Sequence, residues 1–153
     1  EKKYCMGVIN DVMLTPLRII PGDSGNVLHA LKQTEASFHG FGEAYFSTVQ
    51  KQAIKGWKKH RRMILNVIVP SGAIRFVMYD GRPESKSFQT FQELILSKEN
   101  YQRLTVPPGI WMAFQGLSDE VNMLLNIASI PHDPAEAENL PVQNELIPFH
   151  GFS

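Results

Sequence analysis

Residues 54–82 read IKGWKKHRRMILNVIVPSGAIRFVMYDGR, and this stretch decides the fold. It contains two runs rich in β-branched and apolar residues, MILNVIVP and AIRFVMYD. Between these runs stands Ser71-Gly72, with Pro70 directly before it. Two such runs around a Ser-Gly dipeptide are typical of a β-hairpin. The stretch therefore predicts two strands that pair with each other across a tight turn.

Short apolar runs of the same kind recur along the rest of the chain. Segments rich in Pro, Gly, Asp, Ser and Asn separate them, and Pro107-Pro108-Gly109 forms a corner inside the run at 102–116. The predicted strands fall within residues 8–20, 27–31, 44–49, 63–70, 73–80, 91–97, 102–116 and 121–129. This spacing predicts an all-β fold of about eight or nine short strands, a sandwich or jelly-roll barrel.

The segment DPAEAENL at residues 133–140 has the strongest helical character in the sequence. Asp133 is a suitable N-cap, and Pro134 is a suitable first helical residue because it has no amide hydrogen to leave unpaired. We therefore predict a short C-terminal helix that is appended to the β-barrel.

The composition indicates one globular domain over residues 1–153. Hydrophobic residues make up 43% of the chain, which is long enough for one sizeable core. Lys plus Arg and Asp plus Glu both total 15, so no overall charge favours nucleic acid or a membrane surface as a partner. Cys5 is the only cysteine, and no apolar run approaches the ~20 residues of a membrane span. The first residues lack a signal-peptide core, and we expect a soluble, cytoplasmic protein.

Positive charge is concentrated directly before the first strand of the opening stretch. On an extended strand, side chains two residues apart share a face, so Lys58, His60 and Arg62 point the same way. If that face lines the interior of a barrel, these side chains form a cationic pocket. A β-bulge at Gly56 would shift the alternation by one residue and bring Lys55 to the same side. The alternative is a charged strand on the solvated outer face.

His60 is the side chain in this run that is best suited to exchange protons near neutral pH. An imidazole has an unperturbed pKa of about 6.5. Lys58 would act as a base only after desolvation or beside other cations, which Lys59, Arg61 and Arg62 supply. Either group is able to remove a proton next to a carbonyl group. The alternative for His60 is a structural or surface histidine.

Metal ligands are missing from the positions where a metal-binding jelly roll carries them. Such a fold uses a His-x-His pair on one strand and a further His after a Pro-x-Gly corner. Here the first position reads KKH at residues 58–60, and the second reads IWM at residues 110–112. The sequence also lacks a glycine-rich phosphate loop, a nucleophile elbow and a CxxC pair. We therefore expect neither a bound metal nor a cofactor.

Several aromatic side chains offer a stacking surface for a base or a sugar. They are Trp57, Trp111, Tyr45, Tyr79 and Phe114. Packing in the core is the more common role of aromatic residues in strands. Among them, we expect the two tryptophans to contact the substrate.

Four segments follow one another along the chain in an informative order and spacing, PLRIIPGDSGNVLHAL, IKGWKKH, FQELILSKENYQRLTVPPGIWMAF and LLNIASIPHDPAEAENL. Together they resemble the dTDP-4-dehydrorhamnose 3,5-epimerase family, cupin jelly rolls that act on nucleotide-diphospho-4-keto-6-deoxysugars. The first is similar to the family's opening strand and turn, and the second to the strand that carries its catalytic His. The third is similar to the stretch that ends beyond its P-x-G corner, and the fourth to its closing strand and tail. The resemblance covers most of the chain and implies a cupin fold and a homodimer.

The resemblance also implies a divergent member in which the usual catalytic His and Tyr are replaced. Aligned on the family motif, Lys58 takes the position of the general-base His, and His60 takes the second polar position. Met112 stands where the P-x-G corner normally leads to a His, and Asn126 stands where the family has a general-acid Tyr. The family Asp that orients the catalytic His has only the Asn-Glu pair at 144–145 as a counterpart.

The function that this resemblance implies is an epimerase or isomerase of a nucleotide-diphospho-4-keto-6-deoxysugar, in deoxysugar and surface polysaccharide biosynthesis. It would act by proton abstraction next to the C4 ketone, with Lys58 and His60 as the catalytic residues. The expected substrate-binding residues are Lys55, Trp57, Arg62, Arg75, Trp111, Met112 and Asn126. The alternative is a non-catalytic cupin that holds a nucleotide sugar, or a partner subunit of another biosynthetic enzyme.

Overall fold

The fold consists of β-strands joined by turns and loops. The computed structural model of the chain describes residues 5–152, and that range contains thirteen strands and no helix. The strands are β1 (Cys5–Met6), β2 (Met13–Pro16), β3 (Ile19–Ile20), β4 (Val27–Leu28), β5 (Glu43–Val49), β6 (Ile54–His60), β7 (Leu65–Ser71), β8 (Ala73–Asp80), β9 (Thr90–Ser97), β10 (Gln102–Val106), β11 (Ile110–Gly116), β12 (Asn122–Ala128) and β13 (Ala137–Asn139). The all-β prediction is confirmed, and nothing within residues 5–152 is a helix able to cross a membrane.

Two sheets pack face to face around the main core. The first sheet has the order β1-β9-β8-β11-β6-β13, and the second has the order β2-β10-β7-β12-β5. Both contribute apolar side chains to one buried cluster, for example Phe76 and Leu96 from the first sheet and Val67 and Leu104 from the second. Burial of this apolar surface is the dominant favourable contribution to folding. The two-sheet arrangement confirms the predicted jelly-roll architecture.

The predicted hairpin at Ser71-Gly72 is wrong, although both of its strands form. β7 pairs with β10 and β12 in the second sheet, whereas β8 pairs with β9 and β11 in the first. The turn therefore carries the chain from one sheet to the other. Gly72 has a φ of 73°, and a Cβ at this position would lie 2.4 Å from Oδ1 of Asn122. Local composition predicted the turn, but distant strands decide which partner each strand takes.

The N-terminal strands are shorter than the sequence predicted. The expected strand at residues 8–20 is divided into β2, an edge strand of the second sheet, and β3, which forms a separate two-stranded sheet with β4. Pro16 ends β2 at this sheet edge, where a missing amide hydrogen interrupts no ladder.

The predicted C-terminal helix at residues 133–140 is also wrong. Asp133 does accept a hydrogen bond from the Ala135 amide (Oδ1···N 2.9 Å), but the turn ends there and β13 pairs antiparallel with β6. The carboxylate of Glu136 accepts hydrogen bonds from the amides of Arg62 and Met63. These contacts and the strand ladder override the weak local helix preference. The segment thereby covers the edge of β6.

Candidate active site

A cavity of about 360 Å³ lies between the two sheets. One wall comes from β6 and β11, and the other comes from β5, β7 and β12. The polar side chains that line it are Tyr45, Ser47, Lys55, Lys58, His60, Asn126 and Asn139, and most of the remaining lining is aliphatic or aromatic. A largely apolar cavity with a few converging polar groups is typical of a small-molecule site.

A bulge in β6 brings two lysines to the same side of the strand. Lys58 lies opposite Met112 of β11, and Lys55 lies opposite Phe114, so three steps along β6 match two steps along β11. Without the extra residue, Lys55 and Lys58 would point to opposite faces. A Cβ on Gly56 would lie 2.7 Å from a methyl carbon of Val142, so glycine is needed here. The bulge predicted from the sequence is confirmed.

His60 ends β6 and is half-buried in the cavity wall. Its carbonyl oxygen accepts a hydrogen bond from the Gly109 amide (2.8 Å), which ties the strand to the Pro-Pro-Gly corner. Burial lowers the pKa of the imidazole below its ordinary value of 6.5, and the positive charge of Lys58 lowers it further. Glu136 opposes these effects, and His132 adds to them. At neutral pH the ring is uncharged and able to accept a proton.

The two lysines leave positive charge at the opening of the cavity. Both side chains are exposed. The ammonium of Lys55 donates a hydrogen bond to the hydroxyl of Ser47 on β5 (Nζ···Oγ 3.0 Å), which connects the two sheets. An ammonium held in this way retains two hydrogens for an anionic ligand. The opening is therefore suited to a phosphate or diphosphate group.

Asn126 and Tyr45 form a pair on the second sheet. They are directly opposite each other on β12 and β5. The amide nitrogen of Asn126 donates a hydrogen bond to the phenol oxygen of Tyr45 (Nδ2···Oη 3.0 Å). Asn126 is 3% exposed, whereas Tyr45 is 46% exposed. The phenol is therefore anchored from beneath and open to solvent and ligand above.

Two polar atoms of the cavity have no partner in the protein. Among residues 5–152, three buried side-chain nitrogen or oxygen atoms lack a hydrogen bond, and two of them are Nδ1 of His60 and Oδ1 of Asn126. Leaving such an atom unpaired costs about 1–3 kcal/mol. Most buried polar groups in folded proteins are satisfied, so unsatisfied ones require a specific explanation. Both atoms belong to side chains that line the cavity.

The chain matches the family model described as dTDP-4-dehydrorhamnose 3,5-epimerase over residues 8–148. The chain belongs to the dTDP-4-dehydrorhamnose 3,5-epimerase family. This confirms the resemblance drawn from the sequence motifs, and with it the assignment to a family of isomerases.

Several known members or relatives of this family are similar along nearly the whole chain. Agl13 of Haloferax volcanii, described as a probable low-salt glycan biosynthesis epimerase, is 22% identical over 127 residues, which is 82% of this chain and 81% of Agl13. SpsL of Bacillus subtilis, a spore coat polysaccharide biosynthesis protein, is 21% identical over 145 residues, or 94% of this chain and 96% of SpsL. A dTDP sugar isomerase from Desulfovibrio desulfuricans G20 is 36% identical with a TM-score of 0.90, and the match covers 93% of this chain and 91% of that protein. Three further structures of this fold, 15% to 18% identical, hold dTDP or a dTDP sugar.

Five of the nine residues predicted for this family site line the cavity. They are Lys55, Lys58, His60, Met112 and Asn126. The alternation along β6 and its bulge place the first three, and Met112 lies opposite Lys58 on β11. The structure therefore supports the expectation that the basic strand faces the barrel interior rather than the solvated outer face.

Trp57 and Trp111 do not line the cavity. They are 0% and 4% exposed and belong to a second apolar cluster, which Phe149 helps to cover. The indole nitrogen of Trp57 donates a hydrogen bond to the carbonyl oxygen of Val142 (3.2 Å). Each tryptophan is the strand neighbour of a cavity-lining residue and so points to the opposite face. Their geometry supports a role in the core and not the predicted contact with substrate.

Arg62 and Arg75 also lie outside the cavity lining. Arg62 follows the end of β6 and pairs with the carboxylate of Glu136 (Nε···Oε2 3.3 Å). Arg75 pairs with Glu93 and donates a hydrogen bond to the carbonyl oxygen of Gly151 (3.0 Å). Both arginines stabilise connections between segments, so the structure does not support their predicted contact with substrate.

Tyr45 was named from the sequence only as part of a general stacking surface and not among the expected site residues. Its cavity position follows from the same alternation that places Ser47 on the lining. The partner that anchors it, Asn126, is 81 residues away in the sequence.

Among the described residues, no three His, Cys, Asp or Glu side chains are grouped as ligands for a metal ion.

Proposed function

We propose that this chain is an epimerase or isomerase of a nucleotide-diphospho-4-keto-6-deoxysugar, in deoxysugar and surface polysaccharide biosynthesis. The observation that carries the proposal is the placement of the half-buried His60 and of Lys58 on the lining of one largely apolar cavity. Family membership supports the reaction class, and the dTDP sugar isomerase from Desulfovibrio supports dTDP as the nucleotide. The glycan and polysaccharide roles of Agl13 and SpsL support the biosynthetic setting.

Proton abstraction next to the C4 ketone is the central step. The ketone makes the protons on the adjacent carbons acidic, because removing one produces an enolate whose charge rests on the ketone oxygen. His60 takes this proton, since its lowered pKa keeps it unprotonated at neutral pH. The ammonium of Lys58 stabilises the negative oxygen. The sequence alone allows Lys58 as the base. A positively charged ammonium, however, is better suited to stabilising the enolate than to accepting a proton.

The remaining predicted residues of the cavity bind the substrate. Lys55 contacts the diphosphate at the opening, where its ammonium is exposed. Met112 packs against the apolar side of the sugar. Oδ1 of Asn126 accepts a hydrogen bond from a sugar hydroxyl, which removes the cost of an unpaired buried oxygen.

Hydrogen exchange tests this function. The chain is incubated in D2O with dTDP-4-keto-6-deoxyglucose and, separately, with the corresponding GDP sugar, and the C3 and C5 proton signals are followed by NMR. We expect exchange at one or both carbons with the dTDP sugar. Binding in saturation-transfer experiments without any exchange would contradict the proposal and favour the non-catalytic nucleotide-sugar-binding cupin instead.

We further propose that the chain works as one domain, in the cytoplasm, and as a homodimer. The single cysteine is compatible with a reducing compartment. The dimer rests on the family resemblance. Light scattering after size-exclusion chromatography should give about twice the mass of one chain, and a monomer mass across the working concentration range would contradict the dimer.

A further inference from the structure

We infer that Tyr45 is the proton donor that completes inversion, and that Asn126 is its positioning residue. This inference rests on the proposed function and deepens it. It assigns the second half of the reaction to a side chain on the sheet that faces His60.

Inversion of a carbon needs two groups on opposite sides of the enolate. The base removes the proton from one side of the carbon, and a donor must deliver a proton to the other side. His60 belongs to β6 of the first sheet, so the donor belongs on the wall formed by the second sheet. Redelivery by His60 itself would restore the original configuration.

The second sheet offers three polar side chains on the cavity lining, Tyr45, Ser47 and Asn126. A phenol is a far stronger acid than an alcohol or an amide, and an amide does not release a proton near neutral pH. Tyr45 is therefore the group on this wall that is chemically able to donate.

The hydrogen bond from Asn126 favours this role. The amide nitrogen donates to the phenol oxygen, so the hydrogen of the phenol is directed elsewhere and remains available to the substrate. The bond also fixes the position of the phenol on the wall of the cavity. Tyr45 is 46% exposed, so its side chain is accessible to a bound sugar.

Each proton that is transferred during one turnover has a source and an acceptor. The C–H bond beside the ketone breaks, its proton goes to the imidazole of His60, and its electron pair forms the enolate. The O–H bond of Tyr45 then breaks as a new C–H bond forms on the opposite side of the same carbon. Solvent returns a proton to the phenolate and removes one from the imidazolium, which restores both groups.

Tyr45→Phe separates the two halves of the reaction. We expect the variant to exchange the substrate proton with D2O at close to the wild-type rate, because His60 is intact. Inversion, followed by NMR as the appearance of the epimer, should fall by at least about 100-fold, as for loss of a general acid. Phe46→Leu is the matched control, since Phe46 is the adjacent strand residue and lies outside the cavity lining. It should leave both rates unchanged.

Asn126 is tested by the ratio of inversion to exchange, which a merely structural role would not change. Asn126→Asp keeps the size of the side chain but removes the donor to the phenol oxygen. We expect this ratio to fall about tenfold, in line with a hydrogen bond worth about 1.4 kcal/mol. An unchanged ratio in Asn126→Asp would overturn the positioning role.

The two proposals fail in distinguishable ways. Exchange by the wild type combined with full inversion by Tyr45→Phe would overturn the assignment of Tyr45 and leave the proposed function standing. Loss of exchange together with inversion in a folded Tyr45→Phe would also overturn it, because Tyr45 would then act before the enolate forms. Absence of exchange in the wild type would overturn both.

Discussion

The carboxylate of Asp80 and two polar atoms of cavity-lining side chains are all buried, but the protein provides hydrogen-bond partners only for the carboxylate. The Asp80 carboxylate is 0% exposed and accepts hydrogen bonds of 2.6 to 3.0 Å from the backbone and guanidinium of Arg82 and from the hydroxyls of Ser85 and Ser87. In the cavity, by contrast, Nδ1 of His60 and Oδ1 of Asn126 have no protein partner.

This difference separates a group that holds the fold from side chains for which we propose a role in binding a ligand. A buried charge with all its partners stabilises one conformation, and here it also joins the N-terminal segment, since Arg82 donates to the carbonyl oxygen of Asn10 (Nη2···O 2.8 Å). Unpaired buried atoms lower stability and are retained where function needs them. Variants of the cavity should therefore change the rate of exchange, whereas variants of the Asp80 cluster should change the free energy of unfolding.

The largest effect is expected from His60→Ala. Loss of the base should lower the rate of deuterium exchange into the 4-keto sugar by about 10²–10⁴-fold, the usual contribution of a general base. The free energy of unfolding should change little, because no hydrogen bond of Nδ1 is lost. His39→Ala is the matched control, since His39 is exposed and lies outside the cavity lining. Exchange by His60→Ala at the wild-type rate would show that another group, such as Lys58, is the base.

The opposite pattern is expected from Asp80→Asn. Removing the charge leaves the Arg82 guanidinium without its main counterion, and breaking a buried pair of this kind costs about 3 kcal/mol or more. Denaturant unfolding should show that loss, while the folded fraction keeps its exchange activity. Asp119→Asn is the control, because its pair with Lys51 is exposed and worth less than about 1 kcal/mol. Equal losses in both variants would contradict the distinction between the two regions.

Acid should weaken the Asp80 cluster at low pH. Hydrogen bonds from Arg82, Ser85 and Ser87 outweigh the opposing effect of burial and lower the pKa of Asp80 from 3.8 to about 2. A carboxyl with a lowered folded-state pKa stabilises the fold above its unfolded pKa and loses that contribution as the pH falls. Stability should therefore drop by about 2 kcal/mol between pH 3.8 and 2. In Asp80→Asn this part of the acid dependence should be absent.

Lys58→Met should shift the pH profile of exchange, and this shift is the smallest effect in the series. Exchange in the wild type is expected to fall as His60 becomes protonated, at a pH below 6.5, because the pKa of His60 is lowered. Removing the Lys58 charge takes away one cause of that lowering, so the acidic fall should move to higher pH. An unchanged pH profile of exchange would mean that the charge of Lys58 does not lower the pKa of His60. The maximal rate should also decrease, since the enolate loses its counter-charge.

Local patterns were sufficient to predict most of the strands and which side chains of the basic strand share a face. Side-chain alternation placed Lys58 and His60 on one face, and Gly56 identified the bulge that adds Lys55. These features depend on residues only a few positions apart, and the period of two is a property of any extended strand.

Partners far apart in the sequence explain what could not be predicted. Which sheet β7 and β8 join is decided by β9, β10, β11 and β12, and the helix expected at 133–140 gives way to pairing with β6. Arg75 is held by the carbonyl of Gly151, a contact across 76 positions. Tyr45 is likewise held by a distant residue, Asn126, so only the folded structure identifies it as the candidate donor.

The most direct test of the central claim is a crystal structure of the wild-type chain with dTDP-glucose, a nucleotide sugar without the reactive ketone. We expect the hexose to occupy the cavity, Oδ1 of Asn126 to accept a hydrogen bond from it, and the His60 ring to lie against the sugar carbons. A nucleotide sugar bound outside the cavity, with both unpaired atoms satisfied by other protein groups, would contradict the proposed site.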